Sequence, residues 1–311
     1  MNNEHELKLR ELEQNMEDAD NALDGLLVPS FDESNFFNYS AKFKYDYCCA
    51  LSKLIIAQFS YFKLSEYTNN RKNGLLALTY SIAFGYHKAL AYISDTLQTV
   101  SSQDLILAEF PESPDLNRDP AVIYLSALDI LLYDKNNKIT GLSLLKQAAF
   151  AAEPDANALF LLGFLYYRQK DYQTADKLLK SSFAKNCGIA GYYCARINTI
   201  LNRANLAKAY YNAAACMGVS YALRDMYHYV EKNKDYLFLA AIQDEPESQY
   251  MLAQLNRSNS PTDSSIWMKQ AADNGHPIAQ SIMHAKQVLS GIINQEPQVP
   301  ETTSQENSLS Y

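Results

Sequence analysis

The chain predicts an all-α solenoid, a superhelix of about six or seven antiparallel helix pairs. One observation behind this is a repeat. Lys146-Gln-Ala-Ala-Phe-Ala-Ala-Glu-Pro-Asp-Ala156 returns as Lys269-Gln-Ala-Ala-Asp-Asn-Gly-His-Pro-Ile-Ala279, matching at Lys, Gln, both early Ala, Pro and the last Ala. A second is the frame around it, an anchor followed ten positions later by a small residue with Gly or Pro just before. Thr79 leads to Gly85 and Ala89, Lys180 to Gly188 and Ala190, Asn212 to Gly218 and Ala222, and Phe238 to Pro246 and Ser248. The anchors at 79, 146, 180, 212, 238 and 269 are separated by 67, 34, 32, 26 and 31 residues, the first gap being two units. The third is apolar spacing of three and four residues on both sides of short polar breaks, which is the signature of paired helices.

From the N-terminus, residues 1–34 read as an acidic amphipathic helical arm. They carry ten acids against Lys8 and Arg10. Leu9, Leu12, Met16, Ala19, Leu23 and Leu26 step by 3, 4, 3, 4 and 3, a coiled-coil seam of about two and a half heptads. Such an arm can self-associate through residues 7–27, bind a partner, lie along the body or pack as a cap. Its like charge opposes tight parallel self-pairing. Residues 35–74 read as an N-terminal helical cap or degenerate repeat, with Phe43, Tyr47, Leu51, Leu54, Ile55, Phe59 and Phe62 on one side of a helix. Solenoid ends need such units, because an unmodified end leaves an apolar face in water.

Residues 75–290 hold the repeats. In the clearest, Ala156, Ala158, Leu162, Gly163 and Tyr166 mark a first helix and Lys170-Asp171 a polar turn. Ala175, Leu178, Leu179 and Phe183 then mark a second helix, with Gly163 and Ala175 as packed partners across the turn. A unit is expected near residue 113, with Asp119-Pro120-Ala121 starting its second helix, since Pro suits the first turn after an Asp cap. Gly188, Gly218 and Gly275 are expected to end second helices, where positive φ closes the last turn. Residues 291–311 are too polar to order themselves and read as a disordered acidic tail; Tyr311 there is a terminal residue without an assigned role.

The pattern Ala156-x-Ala158-x-x-x-Leu162-Gly163-x-x-Tyr166, followed by Ala175, resembles the tetratricopeptide repeat. Trp267-Met-Lys-Gln-Ala-Ala-Asp-Asn-Gly275-His-Pro-Ile-Ala279 resembles the second helix of the Sel-one-like repeat. The resemblance spans residues 75–290, strongest in 141–222 and 263–285. It implies an α-solenoid serving as a scaffold or adaptor that holds a partner protein or peptide in a concave groove lined by first helices. Tetratricopeptide groove positions carried onto this chain fall at Asn157, Phe160, Phe164 and Tyr167 in one unit and at Cys194, Asn198 and Leu201 in the next. The run Leu159–Tyr167 is apolar on every side of a helix, so these positions read equally as groove or as core.

Composition excludes several classes. Between the acidic ends, residues 35–294 hold 22 acids and 25 bases, too nearly balanced for a nucleic-acid footprint. No apolar run approaches a membrane span and the start is acidic, so the expected location is cytoplasmic. The five cysteines, including the pair Cys48-Cys49, make neither a disulfide framework nor CxxC metal spacing. Of the five histidines, none lies in HExxH, and no phosphate loop or GxSxG elbow occurs. Asp244, Glu245 and Glu247 around Pro246 read as solvated loop charges. No catalytic residue, cofactor or metal is expected. The expected function is non-catalytic partner binding; the second reading is a regulatory protein whose acidic arm controls access to the groove.

Overall fold

Helix starts in this chain are set by capping side chains. Ser40, Ser101, Asp119, Asp155, Asp171, Asn233 and Glu245 each accept a hydrogen bond from a backbone N–H of the first turn that follows, which removes one otherwise orphaned donor per helix. Pro120, Pro246 and Pro261 occupy first helical positions, where a missing N–H is harmless.

The structure, a computed structural model, describes residues 2–26, 33–68, 70–108 and 118–293. These contain sixteen α-helices and no strand. They run α1 (Asn2–Leu26), α2 (Ala41–Ser65), α3 (Arg71–Ala83), α4 (His87–Thr96), α5 (Ser102–Leu107), α6 (Pro120–Tyr133), α7 (Lys138–Ala149) and α8 (Ala156–Arg168). There follow α9 (Tyr172–Phe183), α10 (Gly188–Ile200), α11 (Ala204–Cys216), α12 (Ser220–Tyr229), α13 (Lys234–Ala241), α14 (Pro246–Asn256), α15 (Pro261–Asp273) and α16 (Pro277–Ile293). Helices pack mainly on their sequence neighbours, with α6/α7, α8/α9, α10/α11, α12/α13 and α14/α15 as hairpins and α5 against α7, giving an all-α solenoid. Within the described residues no helix is long and apolar enough to cross a membrane.

Several local expectations need correction. Asp119-Pro120 starts α6, the first helix of its pair with α7 and not a second one; the centre of the expected unit at residue 113 lies outside the described residues, as do 294–311 of the expected tail and Tyr311. Gly188 is the first residue of α10, and the positive φ that closes α9 belongs to Asn186. Gly218 and Gly275 do close α11 and α15, with φ of 80° and 95°. Gly163 faces Leu178 and Leu179 of α9, which a Cβ would crowd at 3.2 and 2.9 Å; Leu178 and Leu179, one turn beyond Ala175, are its close partners.

Of the roles open to the N-terminal arm, packing against the body is the one observed: Leu9, Ala19 and Leu23 of α1 are buried, Leu12, Met16 and Leu26 half-buried, and the seam packs along α2. That seam is divided between the contact with α2 and the wall of a groove lined by Leu12, Ala19 and Leu26. α2–α4 do not cap only an end. Leu51 and Tyr47 press on Gly218, whose absent Cβ would sit 2.3 Å from Leu51 Cδ2. Gly85 meets Ile189 and Val219, Phe37 stacks edge-on against Tyr236, and Lys88 Nζ donates to Asn274 Oδ1 at 3.1 Å. These residues lie at or beside the α9–α10, α11–α12 and α15–α16 turns and on α13, so α2–α4 run along the edge where each second helix hands over to the next first helix.

Gly218 should tolerate nothing larger, because positive φ and the Leu51 contact oppose a Cβ together. Gly218→Ala is expected to cost about 2 kcal/mol or more in urea unfolding, whereas Gly25→Ala, in open space near the end of α1, should stabilise by about 0.5 kcal/mol. The α4 contact also makes stability depend on pH. Burial first, then the Lys88 charge, lowers the His87 pKa from 6.5 to about 4. The unfolded chain takes this proton as pH drops through 6.5 while the folded chain resists until about 4, so stability falls across that window, by about 3 kcal/mol from this group. Urea unfolding of the wild type and of His87→Leu at neutral pH and near pH 4 should show a smaller acid loss in the variant; equal losses would refute the assignment.

Candidate functional site

The first helices α8, α10 and α12 lie side by side, and their side chains build a continuous sheet of rings. Tyr193 of α10 is its keystone, with ring centroids 6.0, 5.2 and 5.0 Å from Phe160, Phe164 and Tyr167 of α8. Tyr167 also meets Tyr172, and Tyr192 stacks on Tyr221 of α12 at 5.5 Å. Tyrosine is suited to such a face, because it joins apolar area to a polar tip. Burial raises the pKa of the Tyr167 hydroxyl, raises that of Tyr192 to about 12 and takes that of Tyr193 well above its ordinary value, so all three stay protonated near neutrality.

Arginines punctuate this sheet at intervals of 28 residues, at Arg168, Arg196 and Arg224. Each guanidinium lies within 6 Å of a ring one turn earlier on its own helix: Phe164 at 5.9 Å, Tyr192 at 5.9 Å and Tyr221 at 5.2 Å, within cation–π range. Their partners differ. Arg168 donates to the Ser94 carbonyl of α4. Arg224 is enclosed with two buried carboxylates, Asp225 at 2.8 Å and Glu245 at 3.0 Å, and such an enclosed ion pair needs every partner to offset its lost hydration. Arg196 donates from Nη1 to the Tyr192 hydroxyl at 3.0 Å and takes part in none of the ion pairs among the described residues.

The groove positions expected from the tetratricopeptide pattern are mostly not at a surface. Phe160 and Phe164 are 1% and 4% exposed, because Tyr193 lies over them. Cys194 and Asn198 are fully buried: the Cys194 carbonyl accepts from Asn198 Nδ2, and burial pushes the Cys194 thiol up to about 12 beside Asp176 and Lys180 of α9. They point at second helices. Asn157 and Tyr167 are half-buried and Leu201 is exposed at the end of α10. The half-buried residues of α10 are instead Tyr193, Arg196 and Thr199, the first two displaced by one or two positions from those expected. Their signal was present in the sequence as arginines 28 residues apart, each three or four residues after an aromatic.

The acids around Pro246 also need correction. Glu245 is 1% exposed, caps α14 through Ser248 N and binds Arg224, and Asp244 accepts from Asn274. Glu247 is half-buried and pairs with the buried ring of His276 at 3.1 Å, which itself accepts from Ala279 N at the start of α16. No disulfide joins any of the five cysteines, and four are buried. Among the described residues no group of three His, Cys, Asp or Glu side chains is placed to hold a metal ion. The sequence matches no protein-family model and no curated protein.

Core and surface at this face separate by stability. Phe160→Ala should cost about 3–5 kcal/mol by denaturant titration, as large-to-small core changes do. Glu245→Gln, which leaves Arg224 with one carboxylate, should cost about 3 kcal/mol. Arg196→Ala, with no ion pair to break, should stay within about 1 kcal/mol of the wild type.

Proposed function

We propose that this protein is a non-catalytic scaffold or adaptor that holds a partner protein or peptide against its first helices, as tetratricopeptide and Sel-one-like repeat proteins do. The observation that carries the reading is the face made by the half-buried Tyr167, Tyr193, Tyr221 and Arg196 on α8, α10 and α12, over the buried ring of Tyr192. Aromatic and arginine side chains dominate binding energy at protein interfaces. A guanidinium engaged in no ion pair, beside hydroxyls that stay protonated, suits an acidic or carbonyl-rich segment of a partner. The regulatory reading, with the acidic helix closing the groove, requires α1 to sit on this face; its apolar seam packs on α2 instead, so the scaffold reading is preferred.

Affinity capture from a lysate, quantified by mass spectrometry, compares the wild type with Arg196→Glu. A partner that binds here is expected to fall about tenfold or more, equivalent to ~1.4 kcal/mol, with the melting profile unchanged. Undiminished capture by Arg196→Glu refutes this face as the binding site.

A further inference from the structure

Among the described residues two surfaces lack a cover, and each has the length and charge to fit the other. The first lies between α1 and α2. It is a groove of about 1000 Å³ floored by Leu12, Ala19, Leu26, Ile56 and Ala57, with Asp18 and Asp46 at its rim against one base, Lys53. Its floor continues beyond α2: Tyr45, which lines the groove and is 44% exposed, stacks on Phe238 at 6.0 Å, and Phe238 meets the edge of Trp267. α1 as a whole places eight acids against Lys8 and Arg10, all eight exposed.

The second surface is α16. In the pairs α8/α9, α10/α11, α12/α13 and α14/α15 a first helix is covered by the second helix that follows it. α16 stands in the first-helix position of the next unit, and no described helix follows it. Ile278, Val288 and Leu289 on it are 53%, 48% and 59% exposed. Residues 277–293 contain His284 and Lys286 and no acid.

We propose that α16 of one copy docks in the α1–α2 groove of a second copy. The apolar residues of α16 then meet the apolar floor, and its basic, acid-free surface meets the acidic rim. Lengths agree: the groove runs from Leu12 to Leu26 of α1, about 21 Å at 1.5 Å per residue, and α16 is about 25 Å long. α1 against α1 of another copy is disfavoured by the eight acids each carries, so the pairing is between unlike surfaces. A contact of that kind is heterologous. Every chain added leaves one groove and one α16 free, and growth continues unless the rotation between copies closes a ring.

The experiment uses the full chain and two substitutions at solvent-exposed positions, Ala22→Arg beside the groove floor and Leu289→Glu on α16, with circular dichroism melting to confirm that both fold. Sedimentation velocity from micromolar to near-millimolar concentration should show the wild-type mass rising beyond one chain, and each variant alone remaining at one chain. An equimolar mixture of the variants should reach two chains and stop, because Ala22→Arg keeps a working α16 and Leu289→Glu keeps a working groove. A peptide of residues 277–293 in excess should return the wild type to one chain. A wild type that stays at one chain throughout overturns the proposal, including when the peptide binds, since the groove then serves a different basic helix. Variants that associate like the wild type overturn it too. So does a mixture that stays at one chain, which marks a contact between like surfaces.

Discussion

Everything in this fold depends on how tightly each second helix hands over to the next first helix. Asn186, Gly218, Asp244 and Gly275 take positive φ at successive hand-overs, reversing the chain within three or four residues. Reversal this tight keeps α8, α10 and α12 adjacent, so that Tyr193 can reach Tyr167 and Tyr192 can reach Tyr221. It also makes the edge of the array low enough for α2 to lie against it. A side chain at Gly218 would hold α2 away, since Leu51 already fills the space.

The repeat was legible because its spacing falls where the backbone, and not the side chain, sets the requirement. Small residues at hand-overs and glycines at positive φ recur for a geometric reason, so Gly218 and Gly275 could be read directly. Gly188 was misread because Asn186, which tolerates positive φ, performs that reversal two residues earlier. The seam from Leu9 to Leu26 correctly indicated a covered stripe. A stripe does not identify its cover, and α2 proved to be that cover.

The site was less legible, for a different reason. Adjacent helical residues point about 100° apart, so an assignment displaced by one position exchanges core for surface. Cys194 and Asn198 are small and fit where α9 comes close; Tyr193 and Arg196 are large and turn outward. Glu245 beside a proline looked like a turn charge because its partner, Arg224, is 21 residues away and on another helix. Local pattern carries no information about such a pair. The same holds for Lys88 and Asn274, separated by 186 residues.

That last contact bears on how the chain comes to be folded at all. A simple solenoid resembles a one-dimensional array: any unit can nucleate, and the ends open and close on their own. Here α4, near the start of the chain, is tied to the turn after α15, near its end. Closure of so long a loop must wait until the intervening units exist. The array therefore trades local, independent fraying for a late joining step. Synthesis must run on at least as far as Asn274, 186 residues beyond Lys88, before α4 reaches its final seat.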